Sequence, residues 1–458
     1  MSNPKPTLYI VSIVNASPDA VIKTGTSMKT RACLLAGTVL TAVLTASPLM
    51  AQSTGDTSPI DHVEGQPPAT GEVKAAGKPV ETEAANAPDQ KPAFENQTRA
   101  PQPDKMPTVT HQAVAEGLPQ LWSMEFLPDG RMLVAAKKGS MHIVGADGKP
   151  STALKGVPAV ISDGQAGLLD VAIAPDFATS NRIFFSFSEP REEGNGTSVA
   201  SAKLVADDQG GAALEDVKVI FRQMPGYDNT KHYGSRLVFG NNGELYVTVG
   251  ERSDRETRVF AQDLKSGFGK VFRIDTSGKA LADNPFAGKG LAQPEIWSYG
   301  HRNLQSAALD AKGRLWTVEH GPKGGDELNM PQAGLNYGWP VITYGIDYSG
   351  SAIGDGITAK DGMEQPVYYW DPVIGPSGMV FYSGTEFPEW DGAALIGGLV
   401  STGLVVLHMD GDKVSHEERV PLEARIRDVK IGPDGAIYAV TENPKEGTSA
   451  ILKLARQG

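Results

Sequence analysis

The chain is poor in cysteine: Cys33 stands alone, so neither an intrachain disulfide nor a cysteine-based zinc site can form. It also lacks positive charge, with 42 Lys and Arg against 54 Asp and Glu for a net of −12. That balance excludes a protein that tracks nucleic-acid phosphates. Aromatic residues make up only 7%. The apolar run from Ala32 to Val43 falls short of the roughly 20 residues a membrane-spanning helix needs. What abounds is glycine (52) and proline (32) among 458 residues, a mix that suits a turn-rich β protein better than a helical bundle. With 40% hydrophobic and 21% charged residues, the chain can bury a core and remain a globular protein.

The N-terminal stretch has the order of a secretory signal. Met28-Lys29-Thr30-Arg31 is basic, Ala32–Val43 is apolar, and Ser47-Pro48-Leu49-Met50-Ala51 offers small residues for cleavage before Gln52. Residues 1–51 therefore read as an over-extended start plus a signal peptide, with Met28 as the initiator and Cys33 lost on processing. From 52 to 107 the composition turns to Ala, Pro, Thr, Glu, Gln and Gly with isolated apolar residues. Such a segment cannot bury enough surface to offset its ordering entropy and is predicted to be a disordered linker.

From residue 108 to 458 one theme recurs: an apolar run, a polar turn, then an alternating β-rich run. It occurs at Met124–Ala135 around Asp129-Gly130, at Val171–Phe187 around Asp176, and at Leu237–Val249 around Asn242-Gly243. It returns at Ala308–Val318, in degenerate form at Met379–Gly397, and at Val429–Val440 around Asp434-Gly435. Asp-Gly and Asn-Gly between alternating runs signal tight hairpins. Hairpins spaced tens of residues apart fit one four-stranded antiparallel blade each, so six copies predict an all-β, six-bladed β-propeller. A β-sandwich with long loops is the competing architecture.

Fold alone says nothing of chemistry, so the loops between repeats carry the argument. His232, before the third repeat, is the side-chain type suited to proton abstraction near neutral pH, and Glu251 could orient it. Arg302, Asn303 and Gln305 offer a guanidinium fork and two amides, suited to carboxylate-rich ligands or to stitching loops together. Glu319-His320-Gly321-Pro322-Lys323-Gly324-Gly325-Asp326-Glu327-Leu328-Asn329 combines turn residues with carboxylates, as a Ca²⁺ site needs, although a tight inter-blade loop has the same make-up. It is not an EF-hand, whose spacing is absent. Arg425 and Arg427 alternate along a strand and so share a side, either to hold a polyanion or as a salt-bridged rim pair.

In this order these segments resemble the soluble quinoprotein glucose dehydrogenases, and more closely their periplasmic aldose sugar dehydrogenase relatives. The carrying motifs are Asp163–Val171, His232–Val238, Gly300–Asn303, Gly321–Asn329, Asn336–Pro340, Trp370–Met379 and Arg425–Val429. The resemblance implies a propeller that binds pyrroloquinoline quinone (PQQ) and Ca²⁺ and oxidises the C1 hydroxyl of an aldose to a lactone. It implies His232 as general base with Glu251 beside it, and Arg302 stabilising developing charge. Gln165, Arg302, Asn303, Gln305, Tyr348, Arg425 and Arg427 fall at quinone or substrate positions. The carbonyls of Gly321 and Pro322 match calcium ligands at the quinone, and Glu327 and Tyr337 match a second, structural calcium. The implied setting is the periplasm, with an unnamed electron acceptor there, no nucleic-acid partner, no membrane span, and a monomer or weak dimer. Two positions depart from the family: Val400 stands where a quinone-pairing lysine is expected, and Lys231 where glucose-type members carry an acid. The alternatives are a propeller that only binds a sugar or partner, and a metal-dependent propeller lactonase.

Overall fold

The computed structural model describes residues 77–206 and 211–457. The expected signal segment and the first part of the expected linker lie outside the described residues.

Where Asp-Gly and Asn-Gly pairs punctuate alternating runs, the chain folds back as expected. At Asp129-Gly130 the Leu127 amide donates to Arg131 O (2.8 Å) and Gly130 takes φ 85°. That left-handed conformation costs glycine little and other residues more. In the second repeat a short helix, Phe177–Ser180, replaces the tight turn, and Asn181 supplies the left-handed residue at φ 50°.

The strands assemble into six antiparallel sheets. Blade one is Leu121–Phe126, Met132–Ala136 and Ser140–Val144. Blade two is Leu168–Ile173, Arg182–Pro190, Asn195–Ala206 and Ala212–Arg222. Blade three is Leu237–Phe239, Leu245–Val249, Lys270–Ile274 and Ile296–Tyr299. Blade four is Leu304–Leu309, Leu315–Glu319, Asp326–Asn329 and Tyr368–Trp370. Blade five is Pro376–Phe381, Ala394–Gly398, Gly403–Asp410 and Lys413–Pro421. Blade six is Arg425–Ile431, Ile437–Glu442 and Thr448–Arg456, completed by Val109–Pro119 from the start of the domain. That last pairing, with Val109 opposite Arg456 and Pro119 opposite Thr448, closes the ring and satisfies an edge that would otherwise be open.

Blade one has three strands. An irregular segment occupies the fourth place: Ser151 and Leu154 donate to Ile143 O (2.8 Å) and Met141 O (2.9 Å), and Pro150 has no N–H to extend the ladder.

Apolar side chains collect between blades. Leu133, Val171 and Phe185 pack where blades one and two meet, Phe184, Val247 and Phe272 between two and three, and Tyr246 and Leu304 between three and four. Trp316 and Ile396 lie between four and five, Trp390 and Ile437 between five and six, and Met124 and Val440 between six and one. Burying each such side chain contributes about 1.5–3 kcal/mol, so the blade junctions carry much of the stability. Near the axis Arg236 spans several inner strands. Its Nη1 lies 2.9 Å from Asp170 and 3.0 Å from Asp428, its Nε donates to Gln305 O (2.8 Å), and its guanidinium covers the Trp122 ring at 4.5 Å.

The stretch 77–107, predicted to be disordered with the rest of the linker, is ordered against the outer edge of blade four. Tyr369 N donates to Gln97 O (2.8 Å), Ala100 N donates to Tyr368 Oη (2.9 Å), and Ala100 is buried in the cluster between blades four and five. The compositional argument weighs only what a segment can bury by itself. Here the unpaired edge of Tyr368–Trp370 supplies the partners. Among the described residues no helix is long and apolar enough to cross a membrane.

Candidate active site

One end of the propeller gathers the segments that enter the inner strands and those that leave the second strands. His232 sits in the loop before blade three, wholly buried and at φ 48°, a left-handed conformation unusual for a side chain with a Cβ. Its amide donates to Gln165 Oε1 (2.9 Å), and its carbonyl lies so near Gly250 that a Cβ there would meet it at 2.3 Å. Arg252 braces the same loop from below, donating to Lys231 O (3.0 Å) and Asn195 Oδ1 (2.8 Å), with its guanidinium over the Tyr233 ring at 4.1 Å. Arg252 and Ser253 also have positive φ, at 72° and 74°. Strain of this kind persists only where the surroundings over-determine it, and it clusters at functional sites.

The imidazole Nδ1 of His232 lies 3.1 Å from Glu251 Oε2, which also accepts the Ser253 amide. Glu251 is as deeply buried as His232, and its amide donates to Arg302 O (2.9 Å). Burial, with Arg302 and Arg258 in support, pushes His232 below its ordinary value against the pull of Glu251, so the ring is neutral at pH 7. Burial raises the Glu251 carboxyl, but His232, Arg302 and the Ser253 amide outweigh it and keep the group ionised.

Arg302 Nη1 donates to His320 O (2.9 Å) and Gly321 O (2.7 Å), and its guanidinium covers Trp339 at 5.2 Å. Asn303 Oδ1 accepts the Gly234 amide at 3.0 Å. Seven polar atoms in this neighbourhood are buried with no hydrogen-bond partner: His232 Nε2, Gln165 Nε2, Asn303 Nδ2, His320 Nε2, Trp339 Nε1, and Arg302 Nε and Glu251 Oε1, which face each other as an ion pair at 4.0 Å. Buried polar groups are almost always paired, so such a concentration marks a place for a polar ligand.

The remaining expected residues divide. Arg427 donates to Gln305 Oε1 (2.9 Å) and to Glu442 Oε2 (2.7 Å), and Arg425 reaches the same carboxylate oxygen at 3.4 Å. They form the salt-bridged pair that alternation also allowed. They still bear on the site, since burial first, then Arg302, Arg427, His232 and Arg425, push His320 well below its ordinary value. Val400 is half-buried next to Leu399, whose carbonyl accepts from Arg425 (3.2 Å). Tyr348 is half-buried on the neighbouring loop and makes no hydrogen bond to the set.

Among the described residues no three His, Cys, Asp or Glu side chains cluster as a metal site, so a cation near Gly321 and Pro322 would rely on backbone oxygens. The Gly321 carbonyl accepts from Arg302, which leaves it a second lone pair. Asp326 fixes this turn to blade five by accepting the amides of Gly321, Ile374 and Gly375 at 2.8, 2.8 and 2.9 Å. Glu327 lies directly across the ladder from Glu319, and Asn329 Nδ2 reaches both carboxylates at 3.4 and 3.0 Å while its buried Oδ1 has no partner. Two carboxylates and an unpaired amide oxygen fit a hard cation. The Tyr337 hydroxyl is engaged with Met330 O (2.7 Å) and the Gln332 amide (3.0 Å). Glu319 also joins this pair to the active-site end, accepting the Arg302 amide at 2.5 Å and meeting His301 Nδ1 at 2.9 Å.

Residues 118–453 match the model of the Glucose / Sorbosone dehydrogenase family. The chain belongs to that family. Among its relatives is the aldose sugar dehydrogenase YliI of Escherichia coli, 42% identical over 356 residues, which span 76% of this chain and 93% of that one. A crystal structure of the soluble E. coli aldose sugar dehydrogenase in its apo form superposes with a TM-score of 0.72 at 40% identity, covering 76% of this chain and all of the other. The PQQ-bound form of an aldose sugar dehydrogenase from Streptomyces coelicolor does so with a TM-score of 0.62 at 29% identity, over 77% of this chain and all of that one.

His320 and Trp339 are members of the site that the motifs did not single out as functional. The available signal was position: His320 directly precedes Gly321, and Trp339 lies within Asn336–Pro340.

Proposed function

We propose that this chain is a periplasmic quinoprotein that oxidises the C1 hydroxyl of aldoses to lactones, with His232 as the general base. The observation that carries this reading is the buried His232–Glu251 pair, whose imidazole Nε2 has no hydrogen-bond partner and lies within a cluster of buried polar atoms that likewise have none. A neutral imidazole with a free Nε2 can take the hydroxyl proton, and Glu251 then stabilises the imidazolium at Nδ1. Gln165, Arg302 and Asn303 would hold PQQ, Arg425 and Arg427 adding positive charge, and Gly321 and Pro322 would offer oxygens to Ca²⁺. PQQ with Ca²⁺ supplies the two-electron acceptor for the C1 hydride. Arg302, fixed by two carbonyls and with Nε 4.0 Å from Glu251 Oε1 but hydrogen-bonded to nothing, presents a preorganised positive charge to developing negative charge. Burial of His232 and Glu251 keeps water from competing for these groups. Related proteins named aldose sugar dehydrogenases, one of them solved with PQQ, support the same reading.

The test is aldose-dependent reduction of a redox dye by the chain loaded with PQQ and Ca²⁺, beside His232→Gln. Turnover that the variant loses while still binding PQQ supports the proposal. Equal turnover in the two proteins would remove His232 from the chemistry, and no binding of PQQ would remove the quinoprotein reading.

A further inference from the structure

The ordered stretch 77–107 lies outside the residues matched by the family model, yet its contacts run toward the active-site end. Asp371, buried just after the outer strand of blade four, has its carboxylate filled from this stretch. The Asn86 amide and Nδ2 donate to Oδ1 and the Ala87 amide to Oδ2, each at 2.9 Å. Arg99 donates to Asp371 O (2.7 Å) and back to Glu81 O (3.0 Å), tying the strap to itself and to the blade. Gln97 is fully buried: its Nε2 donates to Pro366 O (2.9 Å) and its Oε1 accepts from the Ala93 amide (2.6 Å), while the Tyr344 hydroxyl is shared between Gln365 Oε1 (2.6 Å) and Gln97 Oε1 (3.1 Å).

Tyr344 carries the contact onward. Its ring stacks on Tyr369 at 3.9 Å, and the next residues run against the Gly321–Gly325 turn. Lys323 and Ile346 exchange backbone hydrogen bonds of 3.0 Å in both directions. A Cβ on Gly345 would meet Gly324 O at 2.2 Å, and one on Gly325 would meet Gly345 N at 2.6 Å, so the two backbones touch. Gly321 in turn bonds Arg302. Beyond Ile346 the same loop carries Asp347, which pairs with Arg258 (3.2 Å), and then Tyr348.

We infer that residues 77–107 are a positioning strap for the active site: through Asn86, Gln97 and Tyr344 they hold the 342–348 loop, and through it the Gly321–Gly325 turn, in register with Arg302. The inference rests on reading that turn as part of the cofactor site, but its test needs neither cofactor nor substrate. Hydrogen exchange would be followed residue by residue in the full chain and in its Gln97→Ala, Tyr344→Phe and Lys91→Ala variants. Lys91 is exposed on the strap and bonds only Pro88 O, so Lys91→Ala is the control. Losing a buried hydrogen bond should speed exchange of the Lys323 and Ile346 amides about tenfold in Gln97→Ala, and by less in Tyr344→Phe. Amides of blade two, such as Phe185, should stay within about twofold, and Lys91→Ala should match the parent. Unchanged exchange at Lys323 and Ile346, or acceleration spread evenly over all blades, would overturn the inference. If Gln97→Ala does not fold, Asn86→Ala, which removes only the strap's own side-chain bond to Asp371, decides between the same outcomes.

Discussion

His232 Nδ1 lies 3.1 Å from Glu251 Oε2, in a pair with no exposure to solvent, while Nε2 of the same ring has no partner. A histidine buried for stability alone would have both nitrogens satisfied. His232→Gln should therefore lower kcat about 10²–10⁴-fold, the usual contribution of a general base, and leave PQQ affinity nearly unchanged. Rapid mixing of the loaded enzyme with an aldose measures the chemical step separately from binding.

The same pair sets a pH dependence. His232 acts in its neutral form, and burial and Arg302 lower its pKa while Glu251 raises it. Activity falls as pH drops through that lowered value. Glu251→Gln removes the upward influence, so the acid limb of kcat/KM must move to lower pH, even as the plateau drops for want of a partner for the imidazolium. A limb that stays in place would mean that another group titrates.

Position 400 offers a gain of function. Val400 adjoins Leu399, whose carbonyl holds Arg425. If this position faces the carboxylates of the cofactor, Val400→Lys adds a charge-assisted bond and tightens PQQ about ten- to hundredfold, as judged by fluorescence titration. Unaltered affinity would place residue 400 away from the cofactor.

At the axis, Arg236 neutralises two buried carboxylates, Asp170 and Asp428. Arg236→Met removes the cation in contact with both and leaves only the more distant Lys430 beside them, so it should cost up to about 3–5 kcal/mol in urea unfolding. A loss below about 1 kcal/mol would mean that the pair is solvated by other means.

Facing one another across blade four, Glu319 and Glu327 predict a stabilising cation. Ca²⁺ should raise the melting temperature of the chain and EGTA should reverse the rise, with about 2.7 kcal/mol gained at a hundredfold excess over Kd. Glu327→Gln should melt alike with and without Ca²⁺.

How far the sequence reaches depends on the range of the interaction that decides each feature. The hairpins at Asp129-Gly130 and Asp434-Gly435 are legible because a local conformational preference places them, and Gly130 and Gly435 adopt φ 85° and 75°. His232, Glu251, Arg302 and Asn303 were legible as motif residues, and the fold draws them together. The pairing of Val109–Pro119 with Thr448–Arg456 joins the two ends of the domain, and no local pattern encodes it. The strap has the composition of a linker, and composition cannot reveal that Tyr368–Trp370 leaves an edge for it to cover. Alternation put Arg425 and Arg427 on one side, but only the fold reveals that they share Glu442. His320 and Trp339 stand out through atoms left unpaired, a property of packing and not of residue type.

The most direct test of the central claim is a single turnover without an external acceptor. The chain is loaded with one equivalent of PQQ and Ca²⁺, mixed with excess aldose, and followed by the absorbance of the quinone. Rapid, stoichiometric reduction in the parent, slowed at least about a hundredfold in His232→Gln at equal PQQ occupancy, is the predicted result. Reduction at the same rate in both proteins, or none in either with PQQ bound, would contradict it.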